Sequence, residues 1–135
     1  MAFLDETGLA EVWGLIESKY PRIATGEYAG TGTYGQNSKN SLTFDFEPKM
    51  VIIFGVLDRV PTHSGLVPGT SNYAWGNSMI WVYGQESATI SGSSNAGTLT
   101  ITQSGNTLTW YCSNNITAFN QLNESGYHYH YWAIG

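Results

Sequence analysis

At Tyr20-Pro21 the hydrophobic period of this chain changes from 3.6 residues to 2, and that change divides it into two unlike parts. Upstream, Leu9, Val12, Trp13 and Ile16 recur at helical spacing, with Leu15 beside them. Asp5 can cap such a helix, and Glu6 is favourably placed in its first turn. The residue before a proline disfavours the α region, so Tyr20 ends it. A helix of about fourteen residues is marginal on its own. Its apolar stripe therefore needs a surface to dock on, either its own β domain or the equivalent helices of other subunits.

Downstream, residues 21–135 read as one β domain. Arg22–Tyr28 alternates weakly, Gln36–Ser41 reads as a polar loop, and Leu42–Phe46 alternates apolar with polar. Lys49–Val56 holds the most continuous apolar run, Met50–Phe54, which predicts a buried central strand. Asp58–Ser71 reads as a long loop, a place where function concentrates. Met79–Tyr83 and Ala88–Ser91 are further strands. Thr98–Gln103 and Thr107–Cys112 flank Ser104-Gly105, a two-residue hairpin signal. Asn114–Ser125 is polar apart from Ile116, Phe119 and Leu122, and Tyr127–Ile134 closes the chain as an aromatic-rich strand. The sum is all-β: an antiparallel sandwich or jelly-roll-like domain of about eight strands, preceded by one short helix over residues 1–20.

Composition narrows the function. Charged residues are 11% of the chain, against the usual quarter or so, and Gly, Ser, Thr and Asn fill the gap. The net charge of −5, with no basic stripe, argues against nucleic acid and against an anionic membrane surface. No apolar run approaches the length of a membrane span, and no signal peptide is evident, so synthesis in a bacterial cytoplasm is expected. The single cysteine, Cys112, excludes an intrachain disulfide and reads as a small buried hydrophobe.

Two stretches resemble a known family. Phe3-Leu4-Asp5-Glu6-Thr7-Gly8-Leu9-Ala10, followed by Trp13, resembles the opening of prophage tail and baseplate proteins of Gram-positive bacteria. Phe44-Asp45-Phe46-Glu47-Pro48-Lys49-Met50-Val51-Ile52-Ile53 and the ending with Gly126, Tyr129, Tyr131 and Ala133-Ile134-Gly135 resemble the C-terminal tip domain of such tail fibres. The resemblance implies a homotrimeric virion component at the end of a tail that attaches to a host-surface glycan or protein. It also implies contact with other tail or baseplate proteins, and it brings no catalytic residue with it. The alternatives are a purely structural tail or baseplate component and a free lectin-like module.

Three sets of residues are candidates for chemistry. Tyr73 and Trp75, beside Asn72, Asn77 and His63, combine aromatic faces with amide groups, which suits sugar rings; the competing reading is that Trp75 plugs one end of the sandwich. In the last strand, period 2 puts Tyr127, Tyr129 and Tyr131 on one face and His128, His130 and Trp132 on the other. On a trimer axis, three His128/His130 pairs offer six imidazoles, a set that fits octahedral iron or nickel better than zinc; the competing reading is a histidine pair with no ion. In the helix, Leu9, Val12, Trp13 and Ile16 form an adaptor face. The carboxylates Asp45, Glu47, Asp58, Glu86 and Glu124 are scattered, with no glycosidase-like pair, and no nucleophile elbow is present, so a non-enzymatic protein is expected.

Overall fold

The computed structural model describes residues 5–57, 75–90, 97–114 and 116–135. Helix α1 spans Glu6–Lys19, fourteen residues as the spacing predicts. Asp5 caps it by accepting a hydrogen bond from the Gly8 amide at 2.8 Å. Glu6 in the first turn and Lys19 in the last complement the helix dipole. Tyr20 is already extended, at φ −105° and ψ 135°, as the proline after it demands.

The β domain is a sandwich of two four-stranded antiparallel sheets. The first has the order β1 (Ile23–Ala29), β8 (Tyr127–Ile134), β3 (Met50–Leu57), β4 (Trp75–Val82). The second has the order β2 (Asn40–Thr43), β7 (Thr107–Asn114), β6 (Thr98–Ser104), β5 (Ser87–Thr89). Their facing sides supply the core: Val51, Ile53, Met79, Trp81 and Tyr129 from one, Leu99, Ile101, Leu108, Trp110 and Cys112 from the other. Alternation along each strand produces this arrangement, because period 2 sends every second side chain inward.

Three local expectations need correction, and one alternative left open, docking of the helix on its own domain, drops out. Asn40 and Ser41 belong to strand β2, not to the preceding loop, because their backbones pair with Trp110 and Thr109 of β7. The hairpin between β6 and β7 turns at Gly105-Asn106, one residue later than expected, with Ser104 paired to Thr107 and Gly105 at φ 58°. The Met50–Phe54 run is central in its sheet but buried on one side only, since Val51 and Ile53 are fully buried while Ile52 and Phe54 are half-buried. Helix α1 buries no residue, so its stripe does not dock on its own β domain.

The largest departure lies at 116–124. Composition marks that stretch as a polar loop, yet Ala118, Asn120, Gln121, Leu122 and Asn123 are all buried, while the apolar Ile116 is exposed. The segment plugs one end of the sandwich and is held by side-chain amides. Gln121 accepts from the amides of Gly35 (2.7 Å) and Cys112 (3.1 Å). It donates to the Ser38 carbonyl (2.6 Å) and to Asn40 Oδ1 (2.9 Å). The Trp110 indole donates to the Gln121 carbonyl at 2.9 Å. Asn123 is tied in the same way to Thr31 and Thr33. Gly30 allows the close approach, because a Cβ there would collide with the Glu124 carbonyl.

Removing these bonds while keeping the volume isolates what they contribute. Gln121→Leu removes the side-chain partner of two amides, a carbonyl and Asn40 Oδ1, each a cost of about 1–3 kcal/mol where buried. Urea unfolding should show a loss of about 3 kcal/mol. A loss within the usual ±0.5 kcal/mol or so of surface substitutions would contradict the role of the plug.

Candidate functional site

The closing strand β8 lies between β1 and β3 and separates two chemistries. Its inward side carries Tyr127, Tyr129, Tyr131 and Ala133, as period 2 predicts, with Tyr129 and Ala133 fully buried. Tyr129 stacks on Tyr28 with ring centroids 5.1 Å apart. The Tyr28 hydroxyl donates to the Leu122 carbonyl at 2.7 Å, and the Tyr129 hydroxyl accepts from the Glu124 amide at 3.0 Å. Burial pushes the Tyr129 phenol up to about 12. Burial, and then the neighbouring Tyr129, raise Tyr28 well above its ordinary value. The pair thus anchors the last strand to the plug.

The outward side carries His128, His130 and Trp132. Phe54 of β3 lies between the last two, its ring 5.4 Å from His130 and 5.1 Å from Trp132, both nearly parallel to it. Glu27 of β1 reaches His130 Nδ1 at 3.5 Å, in register across the ladder. That carboxylate is the feature a reading along the chain misses, because 103 positions separate the two residues and only the β1–β8 pairing brings them together. In the same register His128 lies between Ala29 of β1 and Val56 of β3. Among the described residues, no group of three or more histidine, cysteine, aspartate or glutamate side chains gathers within one chain.

The residues expected to contact sugar fare differently from one another. His63, Asn72 and Tyr73 lie outside the described residues. Trp75 opens strand β4 in register with Val56. Asn77 requires correction, since it is fully buried rather than displayed. Its amide donates to the Phe119 carbonyl and to Asn120 Oδ1, both at 3.1 Å, so it holds the plug. Its Oδ1 is buried with no hydrogen-bond partner among the described residues. The reason is the inward phase of β4, in which Asn77, Met79 and Trp81 alternate into the core.

Elsewhere, Cys112 is fully buried, its thiol donating to the Asn114 carbonyl at 2.8 Å, and burial raises its pKa, as suits an unreactive thiol. Asp45 and Glu47 are exposed, and Glu47 pairs with Lys49 at 3.4 Å. The adaptor residues Leu9, Val12, Trp13 and Ile16 all face solvent. The Trp13 indole donates along the helix to Glu17 at 3.1 Å.

No protein-family model, no characterised protein and no solved structure gives a significant match to this chain. Its class is thus defined by architecture alone: an all-β sandwich preceded by a free amphipathic helix.

The tyrosine pair makes folding sensitive to alkali. Both phenols are held neutral in the folded chain, whereas in the unfolded chain they ionise near 10.0. Their contribution is fully present below that pH; that of Tyr129 is lost as pH rises through about 12. Unfolding followed by far-ultraviolet circular dichroism across this window should show stability falling. Tyr129→Phe, which cannot ionise there, should flatten the fall, and an unchanged slope would show that burial of this phenol is unimportant.

Proposed function

We propose that this chain is a host-attachment module of a bacterial virus or prophage tail, acting as a multivalent homotrimer that contacts a cell-surface glycan. One observation supports this reading most. The sandwich closes its own core and plugs its own end without the helix, while the helix leaves its entire apolar stripe in water, with Trp13 60% exposed. A helix that the domain does not need is a docking element. It faces the particle in this reading, and the β domain faces the cell.

The sequence resemblance is what points to a viral tail as that particle, and the physics is compatible with it. Sugar sites are shallow and polar, so three identical domains on one tip multiply weak contacts into useful avidity. Asn72, Tyr73, Trp75 and His63 remain the candidate sugar contacts. The His128/His130 pair, with Glu27 behind His130, has the donor set for an iron or nickel ion on a trimer axis. A purely structural tail or baseplate role differs in one respect: the β domain would then have no affinity for cells.

Two substitutions separate these readings. Trp13→Ala should yield particles lacking the protein, seen by immunoblot of purified virions, while the purified variant binds bacteria as the parent does. Tyr73→Ala should weaken cell binding by about tenfold, or 1.4 kcal/mol, without changing the unfolding midpoint. Absence of binding by the parent chain to any host surface would leave the structural role as the better reading.

A further inference from the structure

The two outer faces of the sandwich differ in kind. On the second sheet the outward residues are hydroxyls: Thr98, Thr100 and Thr102 of β6, Thr107 and Thr109 of β7, and Thr43 of β2. That is the ordinary pattern of a sheet with one solvated side. On the first sheet the outward side is polar at one end, with Glu27, His128, His130 and Ser78, and apolar at the other. One row across the ladder reads Trp132, Ile52, Ile80, and the next reads Ile134, Met50, Val82. Ile80 is 61% exposed, Val82 45% and Trp132 40%. Phe54 continues the patch toward His130.

We propose that a second copy of this chain covers the outer face of the β1-β8-β3-β4 sheet. This deepens the multivalent reading above and rests on it only for the number of copies. Charge points to the occupant. The four strands together hold one carboxylate, Glu27, and no lysine or arginine. That carboxylate already faces His130. A chain of net charge −5 repels its own copies over most of its surface, but not here. A different partner would find no charge pattern to read on this face. Copies related by an axis beside this face bring the same uncharged patch together from each chain and require no charged surface elsewhere.

Area agrees. Four strands about 4.8 Å apart, with about eight residues each at a rise of about 3.4 Å, make a face of roughly 400 Å² in projection. The apolar rows occupy part of that face, and a patch of a few hundred Å² on a monomer is often functional. The whole face is about half of the roughly 800 Å² per partner in a stable complex. The exposed stripe of α1, which leaves this sheet beside its edge strand β1, is available to extend it.

The test is the molar mass of the full chain by light scattering at about 100 µM, with two variants on the face and one control. Ile80→Lys and Val82→Lys alter exposed positions on an edge strand, so circular dichroism should remain that of the parent. The parent should run at a multiple of 14.8 kDa. Both variants should shift to the monomer mass, with association weakened by tenfold or more, and Thr102→Lys on the opposite face should not shift. A parent that is monomeric overturns the proposal. So does an oligomer unchanged in Ile80→Lys and Val82→Lys, and if Leu9→Lys dissociates that oligomer, the helix is the interface instead. Binding of the same samples to bacteria is scored separately. A monomer that binds cells overturns the interface and leaves the attachment reading intact; an oligomer that binds none does the reverse.

Discussion

The amide of Gln121 is the contact on which the rest of this structure depends. One buried side chain satisfies two backbone amides, a carbonyl and a second side chain, drawn from the 35–40 region and from β7. Its own carbonyl takes the Trp110 indole, the largest group in the second sheet's half of the core. Buried polar groups are costly when unpaired and specific when fully paired. This end of the sandwich is therefore closed by a hydrogen-bonded plug where other β domains use bulky apolar residues. Asn77, Asn120 and Asn123 extend the same solution to β4 and to the turn after β1.

That plug fixes the outward face of β8 at one remove. The Tyr28–Tyr129 pair is gripped by the plug backbone through its hydroxyls, and Tyr129 sets the phase of β8. Once Tyr129 faces inward, His128, His130 and Trp132 must face out, because a one-residue slip would reverse every side chain in the strand. The stack of Trp132, Phe54 and His130, and the approach of Glu27, follow from that phase and from the β1–β8–β3 order.

The chain also carries two surfaces that it does not use for its own folding, the stripe of α1 and the outer face of the first sheet. Exposed apolar surfaces of this kind are where contacts with other molecules form. The two are neighbours in the chain, since α1 leads directly into the edge strand β1.

Periodicity by itself determined much of this protein. The helix and its end at Tyr20, the strand content, the inward tyrosines and outward histidines of β8, and the burial of Cys112 all follow from local spacing. Those features depend on neighbours in sequence, or on a period that any sheet imposes. Tertiary structure decided what depends on distant partners. Asn77 and Gln121 are polar, so composition sends them to the surface, whereas the plug supplies the hydrogen bonds that make their burial possible. Met50–Phe54 is apolar on both sides, so its spacing implies two covered faces; only the sheet order showed that one of them is left open within the chain. Glu27 met His130 for the same reason, since strand pairing across most of the chain's length carries no signature in either local segment.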